Sequence, residues 1–185
     1  MQYPLTPSPG VREMPKKFAS PKTTQPEPSE IALPEPATGW KGAASATDVS
    51  GAASATGDSG AASATGEMGA AITTGVMGAA ITTGMMGAAS ATGVMGAASA
   101  TGWSGAASAT GVRGAASATG KHSIALAAGF ECMALAGESG AICIACRALD
   151  GSILAIQASK VGENGVKPDT WYRLDASGKF VEMEC

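Results

Sequence analysis

Large side chains and charges are scarce in this sequence. Only 4% of the 185 residues are aromatic and 15% are charged, whereas about 25% are charged in an ordinary soluble domain. The scarcity of large residues excludes an ordinary globular core, and a net charge of -3 argues against a basic surface that holds nucleic acid. With one histidine, no paired carboxylates and no phosphate-cradling loop, we expect no enzyme, no cofactor and no small-molecule substrate.

Long apolar runs are also missing. Prolines interrupt the first 18 residues where a secretory signal would be continuous and apolar. No segment approaches the ~18 uncharged apolar residues of a membrane span, and Glu131 breaks the nearest candidate, residues 123–136. We therefore expect neither a signal peptide nor a membrane partner.

The four cysteines are too few and too clustered for a disulfide-stapled domain. Cys143 and Cys146 have a metal-like or redox-like spacing, but a structural zinc site needs four ligands. The remaining candidates, Cys132, Cys185 and His122, lack a matching spacing. Small buried thiols that fill a core explain these cysteines better, and we predict no metal site.

Alanine and glycine are abundant, and they are arranged in a strict repeat. The 39 alanines and 26 glycines make up more than a third of the chain. The unit is Gly-Ala-Ala-Ser-Ala-Thr-Gly followed by two variable residues, and Asp48 replaces the closing glycine of the first copy. A fixed internal period is the sequence signature of a repeat architecture. The nine copies begin at Gly42, Gly51, Gly60, Gly69, Gly78, Gly87, Gly96, Gly105 and Gly114.

The repeat predicts an all-β parallel β-solenoid, or β-roll. Successive side chains point to opposite faces when the segment Ala-Ala-Ser-Ala-Thr is extended, and the glycines permit a turn. One repeat per coil is too short to enclose two sheets ~10 Å apart; two or three repeats are feasible, and two are preferred. In a two-repeat coil, Ile72 and Ile81 are expected to face each other across one core layer. A silk-like or disordered Gly/Ala/Ser tract is the alternative.

Three regions differ in composition. Residues 1–41 hold nine of the ten prolines and predict an extended arm. Residues 42–157 predict the solenoid, because looser repeats continue to a last segment that begins at Gly151. In those looser repeats Ile, Leu and Met replace Ala and Ser, which predicts a wider core. Residues 158–185 stop repeating and predict a C-terminal β-hairpin cap.

The variable dipeptides form the candidate interface. If they point outward, they make a contiguous apolar patch, which is typical of an interaction site; if they point inward, they enlarge the core. The threonine at the sixth position of every copy forms a ladder, a feature used by ice-binding solenoids but also expected of good β-formers. The candidate interface residues are Met68, Val76, Met77, Met85, Met86, Val94, Met95 and Trp103.

The repeats, followed by Lys-Pro-Asp-Thr-Trp-Tyr-Arg-Leu at 167–174 and Gly-Lys-Phe-Val-Glu at 178–182, resemble an uncharacterised family of phage and prophage proteins. The likeness covers roughly residues 42–185. Members of that family often carry an N-terminal globular domain where this chain has its proline-rich arm. The resemblance implies a phage or bacterial origin, hence the bacterial cytoplasm or a virion, and it implies no catalytic activity.

Together these observations favour a non-enzymatic structural or interaction module. Its apolar corners or its arm would mediate self-association into a homo-oligomer or filament, or docking on a protein partner. Two alternatives stay open: a phage counter-defence protein that inhibits a host protein by binding it, and an ice-binding protein that uses the threonine ladder.

Overall fold

A computed structural model describes residues 36–184. Most of the predicted arm, at 1–35, lies outside the described residues, as does Cys185. The described part is all-β and contains two sheets of eight strands. Sheet 1 contains, in spatial order, β1 (Ala37–Thr38), β3 (Ala52–Thr56), β5 (Ala70–Thr74), β7 (Ala88–Thr92), β9 (Ala106–Thr110), β11 (Ile124–Ala127), β13 (Ala141–Arg147) and β14 (Ile153–Lys160).

Sheet 2 contains the intervening strands. In spatial order these are β2 (Ala43–Thr47), β4 (Ala61–Thr65), β6 (Ala79–Thr83), β8 (Ala97–Thr101), β10 (Ala115–Ala118), β12 (Met133–Ala136), β15 (Tyr172–Leu174) and β16 (Phe180–Glu182). Successive repeats therefore alternate between the sheets, and each repeat strand pairs in parallel with the strand two repeats away, as Ala52 does with Ala70. The predicted parallel β-solenoid with two repeats per coil is confirmed.

Alanine forms the core of the repeat coils because it occupies every inward position of the repeat strands except two, where Thr73 and Thr82 are buried instead. The third and fifth residues of each copy point inward, as in β4, where Ala62 and Ala64 are buried. The second, fourth and sixth residues point outward. The expected face-to-face packing of Ile72 and Ile81 is wrong, because both occupy the outward fourth position and are about half exposed on opposite sheets.

The closing glycines explain why the repeat keeps a strict nine-residue period. A Cβ built on Gly84 would overlap the carbonyl oxygen of Gly66 in the coil beneath, and one on Gly102 would overlap the carbonyl of Gly84. Only a residue without a Cβ fits this close approach. Asp48 occupies the same repeat position in the first copy, where no repeat coil lies beneath it, and its carbonyl is the one that Gly66 approaches.

The core does not widen where the repeat first loosens. The inward residues of β11 and β12 are still alanines, for example Ala125 and Ala134, whereas Ile124 is half exposed. Only on β13 do larger residues, Ile142 and Ile144, turn inward. The expectation that Gly151 starts a further coil is wrong, because β14 runs antiparallel to β13.

The C-terminal hairpin covers the end of sheet 2. β15 pairs antiparallel with β12 and with β16. Tyr172 is 3% exposed; its hydroxyl accepts the Lys167 N–H at 3.0 Å and donates to the Gly165 carbonyl at 3.3 Å. The Phe180 ring packs edge-on against Tyr172, with the centroids 6.2 Å apart. The predicted hairpin cap is thus present, and aromatic packing holds it.

Candidate interaction surfaces

The corners of the coils point outward. All eight predicted corner side chains are exposed, from 42% for Val76 to 59% for Met85. The closing glycines and the corner hydrogen bonds hold the corner backbone directly above that of the preceding coil. Of the two interpretations left open by the sequence, the outward one describes this structure.

Successive corners lie on opposite sides of the solenoid, because each repeat crosses from one side to the other. The predicted single contiguous patch is therefore wrong, and the apolar corners form two separate stripes. Edge I comprises, in coil order, Asp48, Val49, Glu67, Met68, Met85, Met86, Trp103, Lys121, His122 and Glu138. Edge II comprises, in the same order, Trp40, Lys41, Asp58, Val76, Met77, Val94, Met95, Val112, Arg113, Phe130 and Glu131.

Backbone hydrogen bonds stack the corners of edge I. The Met68 N–H donates to the Val49 carbonyl, and the Met86 N–H to the Glu67 carbonyl, each at 2.8 Å. At the C-terminal end, the Lys121 Nζ lies 5.6 Å from the centre of the Trp103 ring, within cation–π range. The His122 ring is also 5.6 Å from that of Trp103. The corners of edge I are therefore hydrogen-bonded from layer to layer, and Lys121 and His122 both lie against Trp103.

Edge II is built in the same way. The Met77 N–H donates to the Asp58 carbonyl at 2.7 Å, and the Met95 N–H to the Val76 carbonyl at 2.7 Å. At its C-terminal end, the Arg113 Nε lies 2.9 Å from the Glu131 Oε2. Both of these side chains are largely exposed, so this pair contributes little to stability.

The outward faces of the two sheets are flat arrays of small residues. Alanine, serine and threonine occupy the outward positions of most repeat strands, and strand pairing repeats each column at ~4.8 Å. The sixth-position threonines are exposed on both faces, except for the half-buried Thr110. The Thr110 hydroxyl donates to that of Thr92 at 3.3 Å. The threonine ladder thus divides into one rank on each face.

The paired cysteines point to opposite sides of β13. Cys143 lies outward between Leu126 and Ala158, whereas Cys146 packs against the core. Two residues three apart on a strand face opposite ways, so they are not arranged as a two-thiol site. Within residues 36–184, no three His, Cys, Asp or Glu side chains come together as a metal site.

Cys132 is buried and hydrogen-bonded. Its sulfur accepts the Gly114 N–H at 3.2 Å and contacts the Gly111 carbonyl at 3.3 Å. Burial raises the pKa of the Cys132 thiol above its ordinary value, against the smaller opposing effect of the hydrogen bonds. A buried thiol with a raised pKa is a packing group rather than a nucleophile.

A depression with a volume of about 300 Å³ lies beside the C-terminal coil, and its lining includes Cys146, Arg147, Leu154 and Arg173. Arg147 donates from Nε to the Ala128 carbonyl and from Nη1 to the Gly151 carbonyl, each at 2.9 Å. Its guanidinium therefore ties the last coil to the loop after β13.

A further apolar surface escaped the sequence reasoning. Ile124, Leu126 and Ile156 are 53%, 36% and 60% exposed on the outer face of sheet 1, around Cys143. The signal was available: Ile124 and Leu126 continue the outward columns of Ala106 and Ser108. A contiguous apolar surface of this kind is typical of an interaction site.

No protein family, curated protein or solved structure matches this chain. Among residues 36–184, no helix is long and apolar enough to cross a membrane.

Proposed function

We propose that this chain is a non-enzymatic structural or interaction module of phage origin that self-associates through its apolar corners. The observation that carries the proposal is the exposure of all eight corner residues, from Met68 to Trp103, on repeat coils whose outward faces carry small side chains except at Ile72 and Ile81. Methionine is well suited to such a surface because it is unbranched and polarizable. Burying these side chains against another protein would release about 25 cal/mol for every Å² of apolar surface removed from water.

The proposed module takes a second copy of itself as its partner, and the proline-rich arm at 1–41 contributes a further contact. Docking on a different protein is the broader form of the same proposal. A phage counter-defence inhibitor would use the same corners but would remain a monomer until it met its host target.

Mass in solution tests the proposal. Light scattering on the full chain, over a range of concentrations, is expected to give masses above the 18.0 kDa of one copy that rise with concentration. A mass of one copy at every concentration contradicts self-association and favours the inhibitor. Removal of residues 1–35 keeps every described strand, so an unchanged mass in that variant would rule out a contribution of the arm.

Ice binding is a second candidate, supported by the two flat threonine ranks. The expected activity is thermal hysteresis that is lost when Thr74 and Thr92, both exposed on sheet 1, are replaced by tyrosine. Replacement of Met85 by tyrosine at a corner is the matched control and is expected to leave the hysteresis unchanged. Absence of hysteresis in the parent chain contradicts this candidate.

A further inference from the structure

Charges are ordered along edge I. The acidic residues Asp48 and Glu67 lie at the N-terminal end, methionines and Trp103 lie in the middle, and Lys121 and then Glu138 lie at the C-terminal end. The corners form six layers about 4.8 Å apart, so the stripe is about 24 Å long. All of these side chains are exposed.

A second copy fits edge I in one direction better than in the other. A two-fold axis through the Met85–Met86 layer places Asp48 opposite Lys121 of the second copy and Met68 opposite Trp103 of the second copy, and it leaves Glu138 beyond the last paired layer. An axis between the Met86 and Trp103 layers would instead place Asp48 opposite Glu138 of the second copy, two like charges. A parallel arrangement in register would instead place Asp48 against Asp48 and Lys121 against Lys121. Like charges brought together disfavour association, so the charge order selects the antiparallel arrangement.

The charges of edge II also favour an antiparallel contact with a second copy, although the sequence of edge II is different. Its six layers carry Lys41, Asp58, two apolar valine–methionine layers, Arg113 and Glu131 in that order. A two-fold axis between the two central layers pairs Lys41 with Glu131 of the second copy and Asp58 with Arg113 of the second copy. Since Arg113 and Glu131 already pair within the chain, the contact creates a network of alternating charges at each end.

We infer that copies of this chain associate side by side and antiparallel through both edges, forming a ribbon of alternating solenoids. The inference rests on the proposed self-association and gives it a geometry. Each contact is two-fold symmetric and involves two copies. Because the two edges lie on opposite sides of the solenoid, a dimer formed through one edge still exposes the other edge on each copy. Further copies can therefore add without limit, and the assembly does not close. The flat Ala/Ser/Thr faces would form the two surfaces of the ribbon.

The contact on each edge is narrow. Edge II is about 24 Å long and one corner wide, so it buries less than the ~800 Å² per partner of a standard stable interface. The ribbon is therefore expected to assemble weakly, to dissociate on dilution, and to weaken with salt as its charge pairs are screened.

The test uses one lysine substitution on each edge of the full chain. Met86→Lys and Met95→Lys alter side chains that are 54% and 48% exposed, so the fold is retained, as circular dichroism will verify. In sedimentation at about 50 mM salt, the parent chain is expected to grow beyond a dimer. Each single variant is expected to stop at a dimer held by its other edge, and the double variant at one copy of 18.0 kDa. Thr74→Lys, on a flat face, is the matched control and is expected to behave as the parent chain.

The antiparallel direction is tested on the Met95→Lys background, where only edge I remains. Lys121→Glu is expected to weaken that dimer about tenfold, because it opposes Asp48 of the second copy with a like charge. Adding Asp48→Lys is expected to restore the dimer. A dimer that Lys121→Glu leaves unchanged, or that the swap does not restore, overturns the antiparallel contact.

The ribbon and self-association itself are overturned by different results. Oligomers of the parent chain that neither Met86→Lys nor Met95→Lys reduces would overturn the ribbon but leave self-association standing. A parent chain that stays at one copy at every concentration overturns both.

Discussion

Residues 42–122 and residues 123–184 share one solenoid but are stabilised in different ways. In the first region the core is alanine, interrupted only by Thr73 and Thr82, and closing glycines hold adjacent coils in register. In the second region β11 and β12 still bury alanines, but beyond them Ile142, Ile144 and Tyr172 fill the core, and the last strands turn antiparallel. The repeat region thus depends on close backbone approach, whereas the C-terminal region depends on side-chain packing.

The difference shows what a repeated coil lacks. Each coil contacts only its neighbours, so a stack of identical coils has an unprotected end. The C-terminal region forms the cap from large residues and from a hairpin. The hairpin is antiparallel, so it does not continue the stack of parallel coils. Substitutions in the two regions should therefore act through different physical effects.

The largest effect is expected at a closing glycine. Gly84→Ala introduces a Cβ that overlaps the Gly66 carbonyl, so the coils must separate, with a loss of more than about 4 kcal/mol. Asp48→Ala, at the same repeat position, has no repeat coil beneath it and is expected to change stability by less than about 0.5 kcal/mol. Thermal unfolding followed by circular dichroism compares them, and similar melting temperatures would contradict the backbone argument.

The cap should respond to loss of side-chain packing. Tyr172→Ala removes a buried ring and two hydrogen bonds and is expected to destabilise the protein by about 3–5 kcal/mol. Trp103→Ala removes a larger side chain from an exposed corner, and its effect should be about 0.5 kcal/mol or less. Urea unfolding measures both, and an equal loss from the two substitutions would show that the cap is not a packed core.

A smaller, stabilising change is expected inside the alanine core. The hydroxyls of Thr73 and Thr82 are buried without a hydrogen-bond partner among the described residues, and a buried unsatisfied hydroxyl is destabilising. Thr73→Val keeps the shape and should raise the free energy of unfolding by about 1 kcal/mol. Thr74→Val, at the neighbouring exposed position, is the control and should be nearly neutral. A destabilised Thr73→Val protein would mean that the hydroxyl has a favourable role.

The smallest effect is the pH dependence of Cys132. Since burial raises the pKa of its thiol, the folded state holds the proton more tightly than the unfolded state. Its contribution to stability is complete below the unfolded pKa, about 8.5, and is lost as the pH rises through the higher folded value. The melting temperature should therefore fall less between about pH 8 and pH 10 in Cys132→Ala than in the parent chain. Cys143→Ala, which removes an outward thiol, should preserve the parent's pH response.

Much of the fold could be predicted because its local signals repeat. The strands and corners follow from the alternation of small residues and the spacing of glycines, and the coil length follows from the distance between facing sheets. The predicted inward direction of Ile72 and Ile81 was wrong because it depends on whether the even or the odd positions of the repeat face inward. Alanine occupies both the second and the third position, so the sequence does not show which of the two sets is buried. The reversal at β14 was missed because Gly-Ser-Ile-Leu-Ala-Ile at 151–156 still resembles the repeat.

By itself, the sequence determined the nine-residue period, the extended strands, the turns and the requirement for glycine, since these are properties of the backbone within one repeat. Only the tertiary structure decided where the corner residues lie. An 18-residue coil sends consecutive corners to opposite sides, so Met68 and Val76, close in sequence, belong to different edges, while Met68 and Met86 are stacked. The same stacking orders the charges along each edge, because it brings together residues that are two repeats apart.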